Sequence, residues 1–305
     1  MDYKPEGSIF YTDANKKYIS SSQGLSEALE KDIILEAKAV LCTNSHDLII
    51  DLPCAKGVIV REDGAIGIKE GFTRDIALIS RVNKIVCFKI RSLEIDKNGE
   101  LIAYLSRRNA QQECLDKYIS DLTPGDIIDA KITHFEPFGA FVDIGCGIPS
   151  LLPIDVMSVS RISHPSDRFT IGQSIKVAVK SNENGRIFLT HKELLGTWEE
   201  NAERFKSGET VPGIVRSIED YGIFVELSPN LAGLAEPKDG IYVGQGVSVY
   251  IKAILPDKMK VKLIIVDVCS EKAEVTDIRY FVKSEHIEHW KYSTTNSPKK
   301  ISTDF

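Results

Sequence analysis

The residues with the most chemical promise are two pairs of aromatic rings. Phe138 and Phe141 flank Gly139 in F-G-A-F-V, and Tyr221 and Phe224 flank Gly222 in Y-G-I-F-V. In a regular strand, residues three apart point to opposite faces. A bulge at the glycine would change that phase and bring both rings of a pair to one surface. Two neighbouring rings facing solvent make a platform for two nucleobases, and stacking contributes about 1–3 kcal/mol per base whatever the sequence. One such pair alone would sooner be core. Repetition of the pair in the same phase around a glycine favours contact with single-stranded RNA.

Other chemistry is poorly supported. DIGCGIPS places Gly145 and Gly147 after a strand, but Ser150 breaks the dinucleotide pattern. His286 and His289 could share a helix face, yet no third metal ligand accompanies them. The six cysteines, at 42, 54, 87, 114, 146 and 269, form no C-x-x-C pair and read as reduced thiols. No phosphate loop, H-E-x-x-H or serine elbow occurs. The expectation is a binding protein rather than an enzyme, with no cofactor, no metal and no small-molecule substrate.

The elements that must position the rings come from self-comparison. GDIIDAKITHFEPFGAFVDIG, from Gly125, matches GETVPGIVRSIEDYGIFVELS, from Gly208, at an offset of 83 residues. The offset falls to 72 where Gly172-Gln173 become Gly244-Gln245, so the second copy lacks 11 residues, as a loop indel would give. A weaker copy, EAKAVLCTNSHDLIIDL, starts at Glu36; there His46 and Ile49 stand where Phe138 and Phe141 stand, and Asp96 and Glu100 fall on Asn182 and Arg186. Each copy reads as about five short strands, with a hairpin over Asn182–Gly185 in the middle copy, and suits a small closed barrel. HKELLGTWEENAERFKSGE reads as a linker helix with Leu194, Trp198, Ala202 and Phe205 on one face, starting near Gly196. NAQQECLDKYI reads as a similar connector. After Cys269, DIRYFV is strand-like, and the polar stretch around NSPKK reads as disordered.

Composition constrains the partner. The 305 residues carry a net charge of -6, and 122–195 and 205–268 each hold 7 basic and 8 acidic residues. A duplex-binding protein would carry a basic face. Nucleic-acid binding here must rest on stacking and local charge. No stretch approaches the ~20 apolar residues of a membrane helix, and the N-terminus has no signal-like apolar core. A cytoplasmic protein without a membrane partner is the expectation.

The quoted repeats, with GLAEP and VGQGVSVYIKAIL, resemble the RNA-binding domain named after ribosomal protein S-one. The resemblance covers about 122–265 strongly and 33–107 in degenerate form. It implies an all-β-dominated chain of tandem five-stranded OB-fold barrels joined by short helices. The implied divisions are an N-terminal extension 1–32, a degenerate repeat 33–107, a connector 108–121, a repeat 122–193, a linker 194–206, a repeat 207–268 and a C-terminal extension 269–305. It further implies RNA contacts by Phe138, Phe141, Asn182, Arg186, Tyr221, Phe224 and Lys260. Pro153 and Glu236 stand where the family often has a histidine, and Leu255 replaces an aspartate of the third repeat. The implied role is mRNA capture in translation at the small ribosomal subunit, the ringless first repeat contacting ribosomal proteins. Two readings compete: a free RNA-binding regulator or RNA-decay accessory, and a protein-interaction scaffold that no longer binds RNA.

Overall fold

The computed structural model describes residues 3–183, 185–272 and 278–305, side chains of 270–272 excepted. Short strands rich in Val, Ile and Ala form three five-stranded units. The first comprises β1 (Leu35–Cys42), β2 (Leu48–Leu52), β3 (Ala55–Ile59), β4 (Ile85–Ile95) and β5 (Leu101–Ser106). The second comprises β6 (Ile127–Glu136), β7 (Gly139–Asp143), β8 (Pro149–Pro153), β9 (Ser174–Glu183) and β10 (Arg186–Thr190). The third comprises β11 (Thr210–Glu219), β12 (Gly222–Ser228), β13 (Leu231–Ala235), β14 (Gln245–Leu255) and β15 (Lys260–Lys272). The first and third are closed barrels in the order first-second-third-fifth-fourth strand, with a parallel pairing of third and fifth. In the second, the Ser150 hydroxyl on β8 donates to the Ile187 carbonyl on β10 at 2.9 Å and bridges the two outermost strands. The architecture is that of tandem OB folds.

Alternation explains the cores. Val215, Ile223, Val225, Val247, Val249, Ile251, Val261 and Leu263 fill the third barrel; Leu35, Leu48, Ile50, Val86, Phe88 and Leu105 fill the first. By contact the chain divides into two compact units, Met1–Asp121 with Asp143–Pro149, and Leu122–Val142 with Ser150–Phe305. In the first unit, helices α1 (Asp13–Ile19) and α2 (Ser22–Glu30) precede the barrel, α3 (Ile76–Ile79) sits in the long third connection, and α4 (Arg107–Lys117) follows β5. Among the described residues, no helix is long and apolar enough to cross a membrane.

The linker helix is shorter than its sequence pattern suggests. α5 runs only Trp198–Ala202, so Leu194 and Phe205 lie outside it. Gly196 adopts a φ of +82°, which ends the preceding turn, and Thr197 starts the helix through a capping box with Glu200. The second unit is tied together by charge. Glu226 accepts bidentately from Arg168 at 2.8 Å and also bonds Arg216, with all three side chains buried. Burial alone would raise the Glu226 carboxyl; the two guanidiniums outweigh it and hold it below its usual range.

The C-terminal extension corrects two expectations. Asp277 of DIRYFV lies outside the described residues, and 278–282 form no strand. Instead, Phe281 N–H donates to the Leu194 carbonyl, while the Tyr280 hydroxyl accepts from Lys176 N–H and lies 3.3 Å from His191 Nε2. The stretch around NSPKK is ordered: Ser293, Thr294 and Ser297 are buried, and β16 (His289–Lys291) pairs with β17 (Ser302–Asp304). Trp290 and Tyr292 enter the third core, and the Tyr292 hydroxyl donates to the Asn230 carbonyl at 2.6 Å. The tail is polar because its serines and threonines are satisfied by its own backbone and the barrel. His286 and His289 share no helix; they face Asp126 and Asp304 respectively.

Candidate nucleic-acid interface

In the third barrel the turn Asp220-Tyr221 links Glu219 to its partner Gly222. Tyr221 stands on this turn, and Phe224 follows two residues into β12. The ladder shift lies on the opposite strand, between Val215 and Ser217, not at the glycine. A bulge at Gly222 is therefore not what unites the rings; Tyr221 gains its freedom by sitting outside the strand. Gly222 serves close approach instead, since a Cβ there would lie 2.6 Å from the Ala235 carbonyl oxygen. At Gly139 a Cβ would likewise lie 2.6 Å from the Leu152 carbonyl oxygen.

Both ring pairs lie on the surface. Tyr221 and Phe138 are 67% and 55% exposed, whereas Phe224 and Phe141 are half-buried. Ring centroids are 6.2 Å apart in the third barrel and 6.4 Å in the second, near perpendicular in both. Beneath them Ile223, Val225, Ala140 and Val142 are core. The two pairs are thus repeated outer-surface features.

Tyr221 and Phe224 line one wall of a groove of about 480 Å³. Its floor includes Ala232, Gly233 and Ala235; Lys252, Lys260 and Lys262 line its far side with Glu236. Glu236 lies 3.9 Å from Lys252. Cross-strand pairing makes the row continuous: Phe224 opposes Leu234, and Leu234 opposes Lys262. Lys260 opposes Leu255 where β14 turns into β15.

In the second barrel, Arg186 lies at the start of β10 with its guanidinium 5.3 Å above the Phe188 ring. Asn182 organises that hairpin: its Oδ1 accepts from Gly185 N–H and its Nδ2 donates to the Leu122 carbonyl, both at 3.0 Å. Asn184 of this hairpin lies outside the described residues. His134 stacks on Phe141 with centroids 4.5 Å apart and planes 8° apart. His134, Phe188, Lys252 and Lys262 were not legible as site residues. Each is a lone residue in the sequence: cross-strand packing sets His134 on Phe141, and the barrel brings Lys252 and Lys262 to the groove of Tyr221 and Phe224.

The first barrel presents a different face. Ile49 opposes Leu41, then Val58, and Val58 opposes Tyr104, so an apolar row occupies the place of the Phe224 row. His46 sits at a φ of +65° with Nδ1 3.7 Å from an Asp75 oxygen. Among the described residues, no cluster of three or more His, Cys, Asp or Glu side chains could hold a metal.

Residues 121–192 match the family model for the S1 RNA binding domain. The second barrel is thus similar to the S1 RNA binding domain. The S1 signature falls on the second barrel, and relatives extend the similarity further. The small ribosomal subunit protein bS1 of Staphylococcus aureus (strain COL) is 29% identical over 263 residues, covering 78% of this chain and 63% of that protein. The small ribosomal subunit protein bS1 homolog of Bacillus subtilis (strain 168) is 29% identical over 234 residues, covering 73% and 58%. The chain therefore spans about three fifths of the length of these curated relatives. Among solved structures, a multidomain protein with nucleic acid binding domains from Streptococcus pneumoniae is similar over 76% of this chain and 72% of that one, at 13% identity and a TM-score of 0.26.

Proposed function

We propose that this protein binds single-stranded RNA on the ring-bearing faces of its second and third barrels, and that it captures mRNA in translation at the small ribosomal subunit. The observation that carries the reading is the groove in which Tyr221 and Phe224 face three lysines. Unpaired bases can enter it and stack; duplex bases cannot, because their faces are already covered. The lysines face the backbone charge. The relatives' names support the ribosomal setting.

Phe138, Phe141, Tyr221 and Phe224 are the stacking residues of this proposal; Arg186 and Lys260 contact the strand, and Asn182 holds the hairpin that presents Arg186. The first barrel, with Ile49, Val58 and Leu41 on its outer row, takes the protein-contacting role on the small subunit. Fluorescence anisotropy with a labelled unpaired oligomer and a hairpin of matched composition tests the RNA half. Preference for the unpaired strand is expected, and equal affinities contradict stacking. Co-sedimentation with small subunits tests the ribosomal half. A chain that binds RNA but stays in the supernatant favours the free regulator.

A further inference from the structure

We propose that each RNA-binding barrel carries a dedicated phosphate contact on a β-bulge of its fourth strand, Lys180 in the second barrel and Lys252 in the third. The proposal rests on the RNA reading above and adds residues to that site. Strand register locates them. Between β14 and β15, Leu263 opposes Ile251 and Lys262 opposes Ala253, which leaves Lys252 as the extra residue. Between β9 and β10, Leu189 opposes Val179 and Phe188 opposes Ser181, which leaves Lys180. Between β4 and β5, Leu105 opposes Ile90 and Tyr104 opposes Ser92, which leaves Arg91. Three ladders of different sequence thus place a cation at one topological point.

A bulge leaves its extra residue unpaired in the ladder and re-aims its side chain. The third barrel shows the outcome: Lys252 lines the same groove as Tyr221 and Phe224. From Phe224 the row runs over Leu234 to Lys262, two strand spacings or about 10 Å, and Lys252 stands on the next strand. A base stacked on Phe224 therefore leaves its backbone to cross β13 and β15 towards Lys252. Lys180 is exposed and occupies the equivalent point beside Phe188 and Ser181. In a chain of net charge -6 without a basic segment, a cation set at this point carries weight.

The first barrel is a natural comparison. There the bulge cation Arg91 is ion-paired with Asp63, which also accepts from the Ser106 hydroxyl. The barrel whose platform has Ile49 in place of a ring is thus also the one whose bulge cation is tied to a buried carboxylate. In the third barrel Lys252 meets only the exposed Glu236, at 3.9 Å, whereas the first barrel lacks the ring and holds its cation on the buried Asp63.

The test measures affinity for an unpaired oligomer against salt concentration, using the full chain. Each phosphate contact on a single strand contributes about 0.7 to the log–log slope. K180Q and K252Q should each flatten the slope by about 0.7, and the double variant by about 1.4, with circular dichroism unchanged. K252R should keep the wild-type slope. K206Q, an exposed lysine outside the groove, should also leave it unchanged. If ring variants lose binding while K180Q and K252Q keep the full slope, the bulge contacts are overturned and the stacking reading survives. If the wild-type chain shows no RNA affinity, or loss of the rings changes nothing, the underlying reading falls and this proposal falls with it.

Discussion

At the scale of residues, the exposed rings make an energetic prediction that separates platform from core. Removing both rings of one pair, F138A with F141A or Y221A with F224A, should weaken RNA binding by roughly 2–4 kcal/mol. A core ring cut to alanine costs about 3–5 kcal/mol of stability. Phe138 and Tyr221 face solvent, so thermal melting of these variants should stay near wild type; a large drop would return the rings to the core. The pairs were readable in the sequence because the same two rings recur around a glycine at a fixed offset. How they meet was not. The sequence suggested a bulge at the glycine, but Tyr221 escapes the strand phase by standing on the turn, and the bulge lies opposite at Arg216. The stacking of His134 on Phe141 was invisible for a related reason: whether a strand residue faces a ring depends on register, which a single strand does not encode.

At the scale of elements, two buried polar contacts bear on stability. His191 is buried; its Nδ1 donates to the Met157 carbonyl at 2.7 Å, and the Tyr280 hydroxyl meets its Nε2. Burial first, and Arg168 second, push its imidazole from 6.5 down to about 4. The unfolded chain then binds more protons between those values, so this contribution to stability falls as pH drops from about 6.5 towards 4. Glu36 and Asp143, raised to about 7 and about 6 chiefly by burial, act with the opposite sign. The comparison that isolates His191 is therefore wild type against H191Q. The melting temperature of wild type should fall more between pH 7 and pH 5; equal falls would refute the assignment. Glu226 gives a second prediction. E226Q leaves Arg168 and Arg216 without their counter-charge and should cost the second unit about 3–5 kcal/mol in chemical denaturation. The barrel strands were legible from alternation. The C-terminal segment was not, because its burial rests on hydrogen-bonded Ser293, Thr294 and Ser297 around Trp290 rather than on an apolar pattern.

At the scale of the whole molecule, the second unit holds two ring-bearing barrels joined by the Arg168–Glu226–Arg216 cluster and by a C-terminal segment that contacts both. Two sites in one compact unit raise each other's effective concentration on a single strand. An oligomer long enough to reach both should bind much more tightly than one that fills a single groove. The balanced charge sets the salt response: with few phosphate contacts the log–log slope should remain shallower than about -6. The first barrel should add nothing, so I49A in the full chain should leave RNA affinity unchanged. The most direct test of the central claim combines all four ring substitutions, F138A, F141A, Y221A and F224A, in one chain. Anisotropy with an unpaired oligomer and circular dichroism are recorded on the same sample. Stacking on these two faces predicts loss of nearly all RNA binding with the β-barrel spectrum and melting temperature retained. A folded chain that still binds the oligomer as tightly as wild type would contradict it.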